Sequence, residues 1–153
     1  MDLKEISENV KSKEINPKCV LRKMNCYCCS GQKFEDCCQP FLNKTGKPAT
    51  AEELMRSRFS AYAIVQIEYI LQTTHPSTRK LHDLREIENW AKSNQWQRLE
   101  IISKTAGEAT DIQGTVEFKA YFSDENDSPK IHHENSNFRK ELGRWFFVDG
   151  IIS

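Results

Sequence analysis

Five of the six cysteines in this 153-residue chain lie close together, between Cys26 and Cys38. Cys26 and Cys28 are separated by one residue, Cys37 and Cys38 are adjacent, and Ser30-Gly31 supplies a turn between the two pairs. Zinc accepts four thiolates in a tetrahedron, with Zn–S bonds of about 2.3 Å. Two pairs of thiols joined by a tight loop can close such a tetrahedron. The stretch therefore predicts one structural Zn²⁺ ion, with no position left for a water.

Three other interpretations of the same thiols stay open. Two disulfides would use four cysteines, but adjacent cysteines such as Cys37 and Cys38 rarely bond each other, and nothing else in the chain looks secreted. An iron–sulfur cluster also takes four thiolates, although its usual spacings differ from this one. A group of free thiols without a metal is the third alternative. The pattern favours zinc over all three.

The run from Cys26 to Cys38 resembles the SEC-C motif, Cys-x-Cys-x-Ser-Gly-x-x-aromatic-x-x-Cys-Cys. That motif is a zinc module at the C-terminus of the SecA translocation motor and in small bacterial proteins. Tyr27 stands where the motif usually has proline, and Cys29 stands where it usually has glycine, so Cys29 offers a fifth thiol. The ligands that the resemblance implies are Cys26, Cys28, Cys37 and Cys38.

The composition is that of a soluble globular protein, with 38% hydrophobic and 29% charged residues and a net charge of zero. The N-terminus has no apolar signal region, and no apolar run approaches the length of a transmembrane helix. We therefore expect a cytoplasmic protein without a membrane partner.

The charge is unevenly distributed. Residues 11–47 carry eight basic and three acidic side chains, a net charge of +5, whereas residues 48–153 have a net charge of −3. A few lysines could simply keep a metal knuckle soluble, or they could dock on a protein partner with an acidic surface. The neutral total charge and the lack of aromatic residues clustered beside the lysines argue against nucleic acid as the partner.

The chain divides into three regions: a polar leader over residues 1–22, the cysteine module over 23–46, and a larger α+β domain over 48–153. Thr50 and Glu53 fit a helix capping box. Apolar spacings of three and four predict one helix from there to Ala63 and a second around 67–71. His75-Pro76 should end the second helix, and Ser77 can cap a third that reaches Ala91.

From Trp96 onward the apolar residues alternate with polar ones, as in strands that are buried on one face. Turn residues separate the runs. The predicted strands cover residues 96–103, 115–122, 131–141 and 144–152. The sequence therefore predicts an α+β fold in which three helices pack on an antiparallel sheet that wraps around them.

Several separated motifs resemble the YchJ family of bacterial proteins. They are Leu54–Tyr62, the segment His75-Pro-Ser-Thr-Arg79, and the stretch from Phe138 through Gly143 to Gly150. In that family a SEC-C motif precedes a cone-shaped, nuclear-transport-factor-2-like (cystatin-like) domain, in which helices cover a curved antiparallel sheet. The resemblance spans roughly residues 24–150. It implies the fold but no established activity.

A cone of this kind encloses a pocket between helices and sheet. His75 is a candidate acid or base and Arg79 a candidate anion ligand. Their ordinary structural roles would be helix termination and pairing with an acid such as Glu134. Arg56 and Arg58 are two residues apart and face different sides of one helix, so at most one can reach the pocket. The candidate pocket residues are Arg56, Tyr62, His75, Arg79, Glu134 and Ser136.

No nucleophile–base pair, glycine-rich phosphate loop or paired-carboxylate motif is evident, so the sequence names no catalytic residue. The favoured hypothesis is a zinc-stabilised adaptor whose basic module binds an acidic protein and whose cone binds a second partner or a small-molecule ligand. One alternative is an enzyme that uses His75 and Arg79 in the cone. The other is nucleic-acid or ribosome binding through the basic knuckle. Pairing through the outer face of the sheet would give a homodimer.

Overall fold

The structure is a computed structural model that describes residues 25–153. The predicted leader over 1–22 and Cys19 lie outside the described residues. The described chain begins with the cysteine knuckle, in which Asn25 bridges to Lys33 and a 3₁₀ turn spans Phe34–Asp36. Helix α1 (Gln39–Leu42) follows, with Pro40 in its first turn, where a missing N–H costs no helical hydrogen bond.

Helix α2 (Ala51–Ala63) is the central helix of the molecule. As the capping box predicts, the Glu53 N–H donates to Thr50 Oγ1 at 3.1 Å. A capping box would pair the Glu53 carboxylate with the Thr50 N–H. Here it accepts instead from the Ala49 N–H, one residue earlier, at 2.7 Å. Most residues of α2 between Ala51 and Ala61 are buried, because this helix has the knuckle on one side and the sheet on the other.

The helices after α2 differ from the prediction in number. The structure has α3 (Ile67–Gln72), α4 (Pro76–Arg79) and α5 (Leu84–Ser93), so the predicted third helix is divided in two. The division occurs because Asp83 caps α5, with its carboxylate accepting from the Arg85 and Glu86 N–H groups. His75 caps the start of α4 instead of ending α3.

Four strands form one antiparallel sheet in the order β1-β2-β3-β4. Register shifts interrupt the β1–β2 pairing at two places and the β3–β4 pairing at one, and such bulges increase local twist and bend the strands. The four segments match the predicted strands, with β1 and β2 longer at both ends and β3 longer at its start. The strands are β1 (Gln95–Ala106), β2 (Gln113–Ser123), β3 (Pro129–Glu141) and β4 (Arg144–Ile152).

The knuckle and the helix–sheet layer share a single hydrophobic core. Cys26, Cys28 and Cys38 are at most 1% exposed and belong to the same buried cluster as Leu54 and Phe59 of α2. Strand residues such as Val116 and Phe138 complete that cluster. The cysteine module is therefore packed into the domain and is not a separate appendage. Among residues 25–153, no helix is long and apolar enough to span a membrane.

Candidate metal centre and ligand cavity

The sulfurs of Cys26, Cys28, Cys37 and Cys38 lie within 4.8 Å of one another. The Cys28–Cys37 and Cys37–Cys38 sulfur pairs are 3.6 and 3.9 Å apart. A zinc tetrahedron with bonds of about 2.3 Å places its sulfurs about 3.8 Å apart, so the cluster has the dimensions of a metal site. All four cysteines are free, which contradicts the two-disulfide alternative for these residues.

The thiols interfere with one another's ionisation. Hydrogen bonding from the Cys28 thiol lowers the pKa of Cys26, whereas hydrogen bonding with Cys26 raises the pKa of Cys38 and of Cys37. Four sulfurs at this spacing cannot all carry charge without a cation between them. A divalent ion that prefers thiolates would remove this conflict, and zinc is the common ion of that kind.

Side chains of α2 attach the knuckle to the domain. Arg56 donates through Nη1 to the Cys28 carbonyl at 2.8 Å and is held by Glu52 at 2.9 Å. Ser60 lies one helical turn further on, and its hydroxyl contacts the Cys26 sulfur at 3.6 Å. Residues at i and i+4 share one face of a helix, so one face of α2 supplies the outer contacts of the thiol cluster.

Cys29 lies outside the group of four. Its sulfur lies 3.6 Å from the Tyr27 carbonyl oxygen. The Leu99 N–H also approaches this sulfur at 3.4 Å. The backbone φ of Cys29 is +64°, a conformation that glycine adopts without strain, which explains why a glycine is usual at this position of the motif.

A cavity of about 160 Å³ lies on the opposite side of α2, between that helix, α5 and the concave face of the sheet. Its walls are mainly aromatic, and the exposed edge of Trp90 on α5 forms part of its rim. A few polar side chains of α2 and β3 also face this cavity. The lining residues include Arg58, Tyr62, Trp96, Glu134, Ser136 and Phe147.

Glu134 is the carboxylate of this cavity. Burial by itself would raise its pKa, but hydrogen bonds with His132 and Ser136 outweigh burial and hold the pKa below its ordinary value. His132 Nε2 is 3.0 Å from Glu134 Oε1, and the Ser136 hydroxyl donates to the other oxygen. Both carboxylate oxygens are therefore occupied by protein partners.

Arg58 is the cation of this cavity and is only 6% exposed. Its Nη1 donates to the Ile70 carbonyl at 2.9 Å and to the Thr73 hydroxyl at 2.7 Å, with Thr74 further away. The guanidinium lies over the Phe147 ring, 4.5 Å from its centroid. Burial lowers the pKa of Arg58, because the surrounding groups replace only part of the hydration that the charge has lost.

Three of the predicted pocket residues lie elsewhere. Arg56 faces the knuckle. His75 accepts from the Ser77 N–H through Nδ1 at 3.1 Å, and its Nε2 is 3.0 Å from Glu141 without the alignment of a hydrogen bond. Arg79 donates to the Thr74 and Gln72 carbonyls and has no contact with Glu134. His75 and Arg79 therefore do not converge in the cone, whereas Tyr62, Glu134 and Ser136 do line its cavity.

A second, more open cleft of about 460 Å³ lies between the knuckle and the domain. Four basic residues and no acidic residue line it, together with aromatic side chains that include Phe41 and Trp145. None of the four forms an ion pair with a carboxylate in the described part of the chain. The basic residues are Lys44, Lys47, Arg79 and Arg144.

Comparisons with known proteins agree with this architecture. Residues 50–150 match a family model described as the middle NTF2-like domain of YchJ. The UPF0225 protein GSU1048 of Geobacter sulfurreducens is 42% identical over 125 residues, which cover 82% of this chain and 77% of that protein. The chain belongs to the YchJ-like family. The predicted family resemblance is thereby confirmed.

Two solved structures of similar proteins support the YchJ-like assignment. The solution structure of RPA3114, a SEC-C motif containing protein from Rhodopseudomonas palustris, has a TM-score of 0.78 and 39% identity, covering 85% of this chain and 99% of that one. A crystal structure of a SEC-C motif containing protein from Psychrobacter arcticus has a TM-score of 0.70 and 35% identity, with 87% and 84% covered. These likenesses confirm the NTF2-like α+β fold with a cysteine cluster before it.

The YchJ-like motifs in the sequence did not identify every cavity residue. His132 lies outside those motifs, yet it lines the cavity and holds Glu134. The alternation of His132, Glu134 and Ser136 along one strand was the signal that could have found it, since residues two apart share a face. Trp90 and Trp96 come from different elements and meet at a ring distance of 4.8 Å, which only the fold reveals.

Proposed function

We propose that this YchJ-like protein is a zinc-stabilised binding protein whose cone takes up a small molecule. The observation that carries the proposal is the cavity of about 160 Å³ with aromatic walls and a few polar groups. Engineered apolar cavities of about 150 Å³ bind benzene, so the space suits one ring with a small substituent. The aromatic lining with few polar groups is the usual composition of a small-molecule site.

The metal has a structural role in this proposal. Four thiolates complete the zinc tetrahedron, so the ion offers no open position for substrate or water. Residues Cys26, Cys28, Cys37 and Cys38 would hold the ion, and its charge would allow all four thiols to ionise together. Their place in the common core links metal binding to the stability of the domain that contains the cavity.

The test of the cavity is a titration of ¹⁵N-labelled protein with phenol, followed by NMR. The chain has three tryptophans, and Trp90 and Trp96 line the cavity whereas Trp145 does not. We expect the indole N–H signals of the first two to shift, with that of Trp145 unchanged. Equal shifts of all three signals, or none, would contradict the proposal.

A cavity-filling substitution sharpens this test. Ala120 is 4% exposed and lines the cavity from β2, so Ala120→Leu should block phenol without removing a polar group. Lys119 is its neighbour on the same strand and points to the opposite face, which makes Lys119→Leu the matched control. Phenol binding that survives Ala120→Leu would place the ligand elsewhere.

A second role is favoured by the basic cleft. Its cations without acidic neighbours support the proposal that the knuckle side of the molecule binds an acidic protein surface. A polyglutamate peptide should bind the wild type and bind more weakly as salt rises, and Lys44→Glu with Lys47→Glu should remove this binding. Lys119→Glu is the control on the sheet. Tighter binding of a single-stranded oligonucleotide than of the peptide would favour the nucleic-acid alternative instead.

Zinc as the ion, a cytoplasmic location and a homodimer stay predictions. Metal analysis, cell fractionation and sedimentation equilibrium test them in turn. An enzyme in the cone would now have to use Glu134 and His132, because His75 and Arg79 lie outside the cavity.

A further inference from the structure

Arg58 is a buried cation that no carboxylate of the described chain contacts, although the charge of Glu134 in the same cavity interacts with it. Its Nη1 donors are directed to one carbonyl and two hydroxyls, all of them neutral. Among the ion pairs that residues 25–153 form, none includes Arg58. Buried charges in proteins are normally paired, because desolvation of a lone charge is expensive. Glu134 offsets this charge only without direct contact, so the guanidinium still lacks an ion-pair partner among the described residues.

The free side of the guanidinium faces the cavity. Nε and Nη2 of Arg58 have no hydrogen-bond acceptor in the described part of the chain. Neither atom is fully buried, so a ligand can reach both. These two donors form the side edge of the guanidinium, which matches the two oxygens of a carboxylate. The Tyr62 hydroxyl, which interacts electrostatically with Arg58 and Glu134, likewise has no hydrogen-bond partner in the described part of the chain.

The other lining residues of the cavity suit a planar, apolar part of a ligand. Trp96, Phe118 and Phe147 line the cavity, and Phe147 already stacks on the guanidinium. The negative charge of Glu134 opposes a dianion such as phosphate, although its two oxygens are occupied by His132 and Ser136. A neutral ring would leave Arg58 unpaired. A planar ring with a single negative charge can pair with Arg58, and Glu134 repels it less than it repels a dianion.

We propose that the cone cavity binds a small planar carboxylic acid, whose carboxylate pairs with the Nε–Nη2 edge of Arg58 and whose ring lies against Trp96 and Phe147. This assignment rests on the proposed ligand-binding function of the cone and specifies its ligand class. Arg58 acts as the anchor, and the Tyr62 hydroxyl donates to the same carboxylate.

The experiment compares benzoate with benzamide, which has the same shape and no charge. Both are titrated into the ¹⁵N-labelled protein, with the indole signals of Trp90, Trp96 and Trp145 as reporters. We expect benzoate to bind about tenfold more tightly than benzamide and to shift the first two signals only, since hydrogen bonds to charged groups contribute more than neutral ones. Equal or tighter binding of benzamide would overturn the proposal.

Acetate is the third probe, because it carries the charge without the ring. We expect it to bind at least about tenfold more weakly than benzoate, since burial of the ring contributes through its apolar area. Acetate that binds as tightly as benzoate would show a simple anion site and overturn the assignment of a planar acid.

Arg58→Met removes the donors while keeping a side chain of similar length. This variant should bind benzoate about tenfold more weakly and benzamide unchanged, whereas Arg85→Met, at an exposed arginine, should behave as the wild type. Unchanged benzoate binding in Arg58→Met would contradict the anchor. Should Arg58→Met fail to fold, the comparison of benzoate with benzamide in the wild type still decides.

The outcomes separate this proposal from the general one. Binding of phenol and benzamide without preferential binding of benzoate would leave the cone as a ligand site and disprove the carboxylate class. If phenol, benzamide and benzoate all leave the Trp90 and Trp96 signals unchanged, both the ligand-binding role of the cone and the carboxylate class are contradicted.

Discussion

The two faces of helix α2 carry buried sites with opposite electrostatic requirements. On one face, Arg56 and Ser60 contact a cluster of four thiols that needs a cation in order to ionise. On the other face, Arg58 enters an aromatic cavity in which it forms no ion pair, although Glu134 lines the same cavity. The thiol cluster is buried in the shared core, whereas the cavity is open. The first arrangement is suited to stability and the second to reversible binding.

The largest difference between the two faces should appear when the thiol cluster is broken. Cys28→Ser removes one of four ligands from the shared core, so we expect loss of the metal and a loss of stability on the order of 5 kcal/mol. Native mass spectrometry with and without a chelator measures the metal, and thermal unfolding measures stability. Cys29→Ser is the matched control from the next position, and it should retain one metal per chain. Retention of the metal by Cys28→Ser would refute the ligand set.

Arg56 and Arg58 allow the two faces to be compared within one helix. Arg56→Met loses the contact with the Cys28 carbonyl and the Glu52 pair, so it should weaken metal binding about tenfold and cost about 1–2 kcal/mol. Arg58→Met should leave metal affinity unchanged, and the loss of its hydrogen bonds to Ile70 and Thr73 should cost about 1–2 kcal/mol. Competition with a chromogenic chelator measures the first effect. A weaker metal site in Arg58→Met would mean that the two faces are coupled.

The sequence predicted the thiol cluster better than the cavity, and the reason is locality. The four cysteines are close in the chain, so their spacing already describes the site. The cavity joins Arg58, Trp96 and Glu134 from a helix and two strands, and the curvature that closes it comes from bulges that leave no clear mark in the sequence. His75 and Arg79 were predicted in the pocket because they lie on a motif. Their hydrogen bonds show that they hold the α3–α4 connection, where the His75 N–H also donates to the Phe147 carbonyl at 2.7 Å.

The same contrast applies to the secondary structure. Alternation predicted β2 most clearly, because Val116 and Phe118 are buried between partly buried neighbours. The predicted third helix was wrong between Lys80 and Asp83, where apolar spacing continued through a break that the Asp83 cap imposes. The packing of the knuckle into the core could not be predicted, because it depends on Arg56 and Ser60 meeting the cysteines across the fold.

Acid should affect the cavity face through Glu134. Its folded-state pKa is lowered, so its contribution to stability is present above its ordinary pKa near 4.5 and is lost as pH falls through the lower folded-state value. The groups around it are His132, Ser136 and Arg58. We therefore expect Glu134→Gln to show a smaller decrease in unfolding free energy than the wild type below about pH 4.5. Urea unfolding at several pH values measures this, and identical slopes would contradict the assignment.

The smallest expected effect concerns Gly150, which pairs with Ser136 across β3 and β4. A Cβ at this position would overlap the side chain of Glu134, whereas nothing about the local backbone requires glycine. Gly150→Ala should therefore displace the carboxylate from its hydrogen bonds and cost about 1 kcal/mol. In a Glu134→Ala background the same substitution should cost almost nothing, which a double-mutant cycle by urea unfolding can measure. An equal cost in both backgrounds would show that Gly150 is needed for the strand itself. A cost that appears only when the Glu134 side chain is present would instead mean that Gly150 leaves room for this carboxylate. The glycine would then be needed for the cavity and not for the sheet.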